Sequence, residues 1–126
     1  MFPELISKVI KDYFAALRAT DQKAWVDTFA TDAVSHDPVG APPLEGHEKL
    51  AAFFQSVTGA FREVGLTEDE IFIAGNGAAV KWTGRGVSQG GKNVHFEGID
   101  VFEINEAGKI QRLHAYWNPA EMMAQL

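Results

Sequence analysis

Apolar residues near the start of the chain recur at every third or fourth position, which is the spacing of an amphipathic helix. This stripe consists of Leu5, Ile6, Val9, Ile10, Tyr13, Phe14 and Leu17. Pro3 stands where a first helical turn tolerates proline. Thr20 and Asp21 offer an N-cap for a second, shorter helix, which would carry Ala24, Trp25, Thr28 and Phe29. A third helix is predicted from about Gly46, with an apolar stripe of Leu50, Phe53, Phe54, Val57 and Phe61.

The second half of the chain has the pattern of β-strands. Before it, the segment 35–45 holds three prolines and one glycine, which predicts a loop or a short strand with turns. Residues 71–73 and 80–83 flank Asn76-Gly77, a strong hairpin signal. Two more strands are predicted at 94–104 and 110–117, after turns at 89–93 and 105–108. Helices followed by an antiparallel meander indicate an α+β fold, and we expect one domain over residues 1–126.

Charge and composition exclude several classes of function. The chain has 17 acidic and 11 basic side chains and a net charge of -6, so nucleic acid is not an expected partner. Cysteine is absent, which removes disulfide and thiolate chemistry and fits a reducing cytoplasm. Residues 1–5 lack the basic start and apolar run of a signal peptide. No apolar stretch is long enough to cross a bilayer, so we expect a cytoplasmic protein with no membrane partner.

The predicted strand 94–104 carries one polar residue in an unexpected place. Side chains alternate between the two faces of a strand, and one face consists of Val94, Phe96, Gly98, Asp100, Phe102 and Ile104. Asp100 is the only charged member of this apolar face. A carboxylate in such a setting must be paired or must keep its proton, because desolvation disfavours the charged form. Asp100 is therefore either an acceptor for a neighbouring loop or a neutral hydrogen-bond donor.

Two further polar residues have both a structural and a functional interpretation. Tyr13 lies on the apolar stripe of the first helix, and a buried tyrosine needs a partner for its hydroxyl. Core packing with an incidental hydrogen bond is the alternative. Asp37 precedes Pro38, which is typical of a residue that opens a turn. The functional alternative is a general base on a rigid loop at the rim of a cavity.

The remaining motifs do not point to metal or nucleotide chemistry. The four histidines are His36, His47, His95 and His114, and none is spaced as in a helical zinc motif. The chain has no glycine-rich phosphate loop and no Gly-x-Ser-x-Gly elbow. We therefore expect neither a metal site nor a serine nucleophile.

Several segments together resemble the bacterial ketosteroid isomerases over nearly the whole chain. In the first half, they are residues 12–17, 29–33, 37–40, 42–43, Gly46 and 51–54. In the second half, they are residues 99–101, 108–110 and 115–117. The resemblance implies the cone-shaped fold of nuclear transport factor 2 and the SnoaL-type polyketide cyclases. In that fold, three N-terminal helices pack on a curved antiparallel or mixed β-sheet.

The resemblance also implies a role for each of the three polar residues. Asp37 matches the family's catalytic base, Tyr13 its phenolic oxyanion donor and Asp100 its protonated carboxylic acid donor. The implied reaction moves the double bond of a β,γ-unsaturated ketone into conjugation, with a small apolar or steroid-like substrate and no metal or organic cofactor. Ketosteroid isomerase is the standard example of this division of labour, and we take the pattern from that family.

The chain departs from the family at positions that bear on the substrate. Phe29 and Phe54 stand where the best-studied branch has supporting tyrosines, and His36 replaces an acidic residue before the base. An imidazole at His36 would either tune the pKa of Asp37 or face solvent. The residues expected to line an apolar pocket are Phe53, Phe54, Val57, Phe61, Phe96, Leu113 and Trp117. Ile99, Val101 and Tyr116 on the outer sheet face suggest a homodimer interface.

Two other classes of function stay open at this point. One is another enzyme on the same fold, such as a polyketide cyclase, a dehydratase or an epoxide hydrolase. The other is a protein without catalytic activity that binds small ligands or docks proteins on its sheet. One fold hosts many chemistries, so the fold by itself does not separate them.

Overall fold

A computed structural model describes residues 3–126; residues 1 and 2, part of the chain start considered above, lie outside the described residues. The helices are α1 (Pro3–Arg18), α2 (Gln22–Asp27), α3 (Gly46–Gly59) and α4 (Pro119–Met123). The strands are β1 (Phe29–His36), β2 (Leu44–Glu45), β3 (Phe61–Ala74), β4 (Gly77–Ser88), β5 (Asn93–Ile104) and β6 (Ile110–Trp117).

The six strands form one sheet in the order β2-β1-β6-β5-β4-β3. Strands β3 to β6 are an antiparallel meander, whereas β1 pairs in parallel with β6. The sheet is therefore mixed. It is also curved and open, with the helices packed on it. The predicted α+β cone with three N-terminal helices is confirmed.

The helices form where the apolar stripes predict them, and they differ from the predictions at their ends. Asp21 caps α2 by accepting a hydrogen bond from the Ala24 N–H, as expected. Thr28 and Phe29 were predicted in this helix, but α2 ends at Asp27. Phe29 begins β1 because it pairs with Ile110 of β6. Phe61 was predicted on α3 and instead begins β3, where it pairs with Ser88.

The local sequence pattern predicted shorter and fewer strands than the structure contains. Strand β1 was largely missed, and β3 and β4 are 14 and 12 residues long, although only 71–73 and 80–83 were predicted. Glycines inside β4 resemble turn signals but serve close packing. A Cβ atom at Gly84 would lie 2.6 Å from the ring of Phe96. The short C-terminal helix α4, which was also missed, is capped by the Asn118 side chain.

Strand β5 follows the predicted alternation without exception. Every residue of the face that carries Asp100 is buried, and every residue of the opposite face is exposed. The buried face contacts one hydrophobic core that includes the apolar stripe of α1 and the inner sides of β4 and β6. Within residues 3–126, the helices all fall short of the length and apolar character needed to span a bilayer.

Candidate active site

An apolar cavity lies between the helices and the inner face of the sheet. Counted together with its open mouth, it has a volume of about 570 Å³. Its wall is formed by Tyr13, Leu17, Trp25, Asp37, Phe53, Phe54, Val57, Thr58, Val64, Gly65, Leu66, Trp82, Phe96, Asp100 and Trp117. The three polar residues singled out from the sequence therefore meet in one cavity.

Asp37 reaches this cavity from the loop that follows β1. The Val39 N–H donates to the Ala115 carbonyl over 2.8 Å, which holds the loop against β6. The indole Nε1–H of Trp117 donates to Oδ1 of Asp37 over 2.6 Å. Burial raises the pKa of Asp37 to about 6, although the Trp117 hydrogen bond acts in the opposite direction. Asp37 is thus mostly ionised at neutral pH but holds its proton far more readily than an ordinary aspartate.

Asp100 is 2 % exposed and comes from the apolar face of β5. Burial, and after it the charge of Asp37, raises the pKa of Asp100 well above its ordinary value. The indole N–H of Trp82 lowers the pKa of Asp100 and offsets part of this increase. Oδ1 of Asp100 has no hydrogen-bond partner among the described residues. A neutral Asp100 carboxyl can donate a hydrogen bond to a ligand in the cavity.

Tyr13 is 2 % exposed and sits in an aromatic surround. Its ring centroid lies 5.0 to 5.9 Å from the rings of Phe14, Trp25, Phe29 and Phe102. Burial, followed by the charges of Asp100 and Asp37, raises the pKa of Tyr13 well above 10. The phenol therefore keeps its proton at neutral pH and is a hydrogen-bond donor.

These three groups differ in the proton chemistry that they can perform. Asp37 has a pKa suited to a general base near neutral pH. Tyr13, and Asp100 when it holds its proton, are donors in a site of low polarity, where hydrogen bonds to a developing negative charge are strong. The arrangement can remove a proton from a bound molecule and stabilise an oxyanion formed from it.

Most of the predicted pocket residues line this cavity. Phe53, Phe54, Val57, Phe96 and Trp117 belong to its wall, but Phe61 and Leu113 do not. Phe61 stacks against Phe96 at a centroid distance of 6.2 Å and lies outside the wall. Leu113 is fully buried in the core of the sheet, between Ser35 of β1 and Phe102 of β5. Phe61 and Leu113 therefore pack in the core and do not line the cavity.

Sequence reasoning missed two indoles of the wall, those of Trp25 and Trp82. Both nitrogens are buried and lack a hydrogen-bond partner in the described structure. Trp82 shares the buried face of β4 with Val80 and Gly84, so alternation along a longer predicted strand would have found it. Gly98 makes room for its ring, since a Cβ atom there would lie 2.5 Å from Cζ2 of Trp82.

His36 does not belong to the cavity, although it precedes Asp37. Its ring stacks on that of His114, with centroids 4.7 Å apart and an angle of 13° between the planes. Leu113 and Ala115 point inward, so His114 and its partner lie on the outer face of the sheet. In the chain from residue 3 onward, no three His, Asp or Glu side chains are grouped so as to hold a metal ion.

Comparisons with known proteins agree with this architecture. The family model of the SnoaL-like domain matches residues 10–113. A steroid Δ-isomerase of Nocardioides simplex is 26% identical over 119 residues, which cover 94% of each chain.

Two solved structures share the fold with a TM-score of 0.82 and 24% identity each. One is the Mycobacterium tuberculosis protein RV0760c in complex with estradiol-17β-hemisuccinate, and the alignment covers 93% of this chain and 96% of that one. The other is SalBIII, an epoxide hydrolase/cyclase-like enzyme of pyran ring formation in the polyether salinomycin, with 92% of both chains covered.

Proposed function

The chain belongs to the SnoaL-like domain family, and we propose that it is an isomerase that moves the C=C bond of a β,γ-unsaturated ketone into conjugation. Asp37 removes a proton from the carbon between the carbonyl and the double bond. The resulting dienolate oxygen accepts hydrogen bonds from Tyr13 and neutral Asp100. Asp37 then returns the proton two carbons further along. Atoms and charge balance without a cofactor.

The observation that carries this proposal is the contrast between two carboxyl groups in one cavity. Asp37 has a pKa of about 6, whereas the pKa of Asp100 is raised well above its ordinary value by burial and by the charge of Asp37. A base and a neutral acid that line the same cavity suit proton abstraction next to a carbonyl. The apolar character of the wall suits a small apolar or steroid-like ketone, and the resemblance to a steroid Δ-isomerase points in the same direction.

The test is the growth of conjugated-enone absorbance when the purified protein meets 5-androstene-3,17-dione. We expect turnover by the unchanged protein and a loss of roughly 10²- to 10⁴-fold in Asp37→Asn. No turnover by a protein whose circular dichroism shows it folded would contradict the steroid substrate. Turnover that survives in Asp37→Asn would contradict the role of the base.

A polyketide cyclase, dehydratase or epoxide hydrolase is the second candidate function. The pair of carboxyl groups favours it as well, because a neutral acid can protonate an epoxide or carbonyl oxygen while a base activates the attacking group. Turnover of a model epoxide without turnover of the steroid would favour this alternative. Saturable steroid binding without turnover of either compound would favour a binding protein.

The outer face of the sheet supports a homodimer as part of the proposal. Ile99, Val101 and Tyr116 are 45 %, 42 % and 53 % exposed, and Ile99 lies directly opposite Tyr116. We expect Val101→Glu to reduce the mass in sedimentation from two chains to one. Met123→Glu is the control, because Met123 is also an exposed apolar residue but lies on α4. A cytoplasmic location remains part of the same proposal.

A further inference from the structure

Trp25 is a large cavity residue to which the proposed reaction assigns no role. It belongs to α2 and is 1 % exposed. Its Nε1–H is a hydrogen-bond donor only, and no described residue accepts from it within hydrogen-bond geometry. An indole N–H left unpaired in the interior is costly, so an acceptor close to it is expected.

The hydroxyl of Tyr13 is the acceptor that the structure offers. The two rings have centroids 5.7 Å apart and are tilted by 47°. The Trp25 N–H is close enough to the phenol to lower the pKa of Tyr13. The bond itself falls outside hydrogen-bond geometry in the structure, so closing it requires a rotation of the Trp25 or Tyr13 side chain.

We infer that Trp25 is a positioning residue that donates a hydrogen bond from Nε1 to the hydroxyl oxygen of Tyr13. An indole nitrogen cannot accept a proton in return, so the Tyr13 O–H is free to point elsewhere. Tyr13 lines the cavity together with Asp100, so a ligand in that cavity is the partner that this proton can reach. Trp25 thereby aims the phenolic proton at the ligand oxygen and strengthens it as a donor.

This arrangement accounts for the chain's departure from the supporting tyrosines of the family it resembles. Phe29 packs edge-on against Tyr13, and Phe54 packs against Trp25. Neither phenyl ring can donate to the phenol. Trp25 packs against both Tyr13 and Phe54, and its N–H is a side-chain donor that lowers the pKa of Tyr13.

The hydrogen bond can be tested without any turnover. The chain has three tryptophans, so a ¹⁵N-labelled sample gives three indole signals, and Trp25→Phe identifies that of Trp25 by its disappearance. In Tyr13→Phe, we expect the Trp25 Hε1 signal to move upfield because its acceptor is gone. The Trp117 signal should instead respond to Asp37→Asn, since its acceptor is Asp37. A Trp25 signal that does not move in Tyr13→Phe overturns the inference.

The kinetic consequence rests on the proposed function and is measured separately. Trp25→Phe keeps an aromatic ring and removes the N–H, and we expect kcat to fall roughly 3- to 10-fold with little change in KM. In a Tyr13→Phe background the same substitution should have no further effect on kcat, because Trp25 acts through that hydroxyl. Losses that multiply in the double variant would overturn the inference.

The two measurements distinguish one failure from the other. A protein without isomerase activity whose Trp25 signal still responds to Tyr13→Phe contradicts the proposed function and supports the hydrogen bond. An active isomerase whose Trp25 signal does not change in Tyr13→Phe supports the proposed function and contradicts the hydrogen bond. If Trp25→Phe does not fold, the signals are assigned from Trp82→Phe and Trp117→Phe, and the Tyr13→Phe spectrum still decides.

Discussion

Trp117 donates a hydrogen bond from its indole Nε1 to Oδ1 of Asp37 over 2.6 Å, across 80 positions of sequence. The bond joins the last residue of β6 to the loop after β1, two strands that pair in parallel. It fixes one carboxylate oxygen and leaves the other available to the cavity. It also lowers the pKa of Asp37, which burial alone would raise further.

The first prediction concerns this hydrogen bond. Trp117→Phe should raise the pKa of Asp37, because the donor that favours its charged form is lost. At pH 6 we expect kcat/KM to fall roughly 3- to 10-fold, with a smaller loss at pH 8. The measurement is the acidic limb of the pH–rate profile. Trp82→Phe is the matched control, since Trp82 acts on Asp100, and its acidic limb should stay in place.

The second prediction is the pH dependence of the unaltered protein. Only ionised Asp37 can act as a base, so with a pKa of about 6 kcat/KM should rise about tenfold per pH unit below pH 6 and level off above it. Steady-state rates between pH 4.5 and 8.5 measure this. A midpoint near 4, the ordinary value of a carboxyl group, would rule out a raised pKa at the base.

A third prediction concerns the phenol. Tyr13→Phe removes one donor to the oxyanion and keeps the ring that packs among its aromatic neighbours. We expect kcat to fall roughly 100- to 1,000-fold, with KM within about threefold of the original. Tyr116→Phe is the control, because Tyr116 is exposed on the outer sheet face. Equal losses in both variants would exclude a specific role for Tyr13.

The fourth prediction is a gain of stability from Asp100→Asn. Because the pKa of Asp100 is raised in the folded protein, the unfolded chain releases this proton at lower pH than the native state does. The free energy of unfolding therefore decreases as pH rises above the unfolded pKa. Asn has no proton to lose, so at pH 7.5 we expect the variant to melt several degrees higher, at about 4 °C per kcal/mol.

Melting curves at pH 4 provide the internal control for Asp100→Asn. Near the ordinary pKa of an aspartate, the unfolded chain still holds this proton about half of the time, so little of the pH-dependent cost has accumulated and the advantage of the variant should shrink. An advantage of the same size at both pH values would point to packing rather than to ionisation.

The fifth prediction tests the packing behind the site. A Cβ atom at Gly98 would lie 2.5 Å from Cζ2 of Trp82 and 2.8 Å from Cβ of Trp117. Gly98→Ala should destabilise the protein by about 1–3 kcal/mol and disturb the Trp117 contact to Asp37. Urea unfolding measures the loss. Gly90→Ala, where the nearest atom is the Ser88 Oγ at 3.8 Å, should change stability by less than about 0.5 kcal/mol.

Residues whose environment follows from short-range periodicity were predicted correctly. The stripe of α1 placed Tyr13 in the core, and the alternation of β5 placed Asp100 on the buried face. Both results rest on local geometry, since the helical and strand periods decide which side chains share a face. The exposed Ile99 and Val101 follow from the same alternation.

Elements that depend on distant partners were not predictable in this way. Strand β1 exists because it pairs in parallel with β6, and the first ten residues of β3 are ordered by pairing with β4. Residues 61–70 hold five charged side chains, and neither segment shows a clear alternation of apolar and polar positions. Phe61 and Leu113 were predicted in the pocket wall for a related reason. The sequence does not distinguish an apolar side chain that lines a cavity from one that packs in the core.

The sequence by itself thus determined which side chains are buried on α1 and β5, and through its resemblance to a family it indicated which three could act together. Only the tertiary structure decided the partners of those side chains. The pairing of Asp37 with Trp117 and the approach of Trp25 to Tyr13 and of Trp82 to Asp100 join residues from different elements. Local periodicity carries no information about such contacts, because they depend on how the sheet curves and how the helices dock against it.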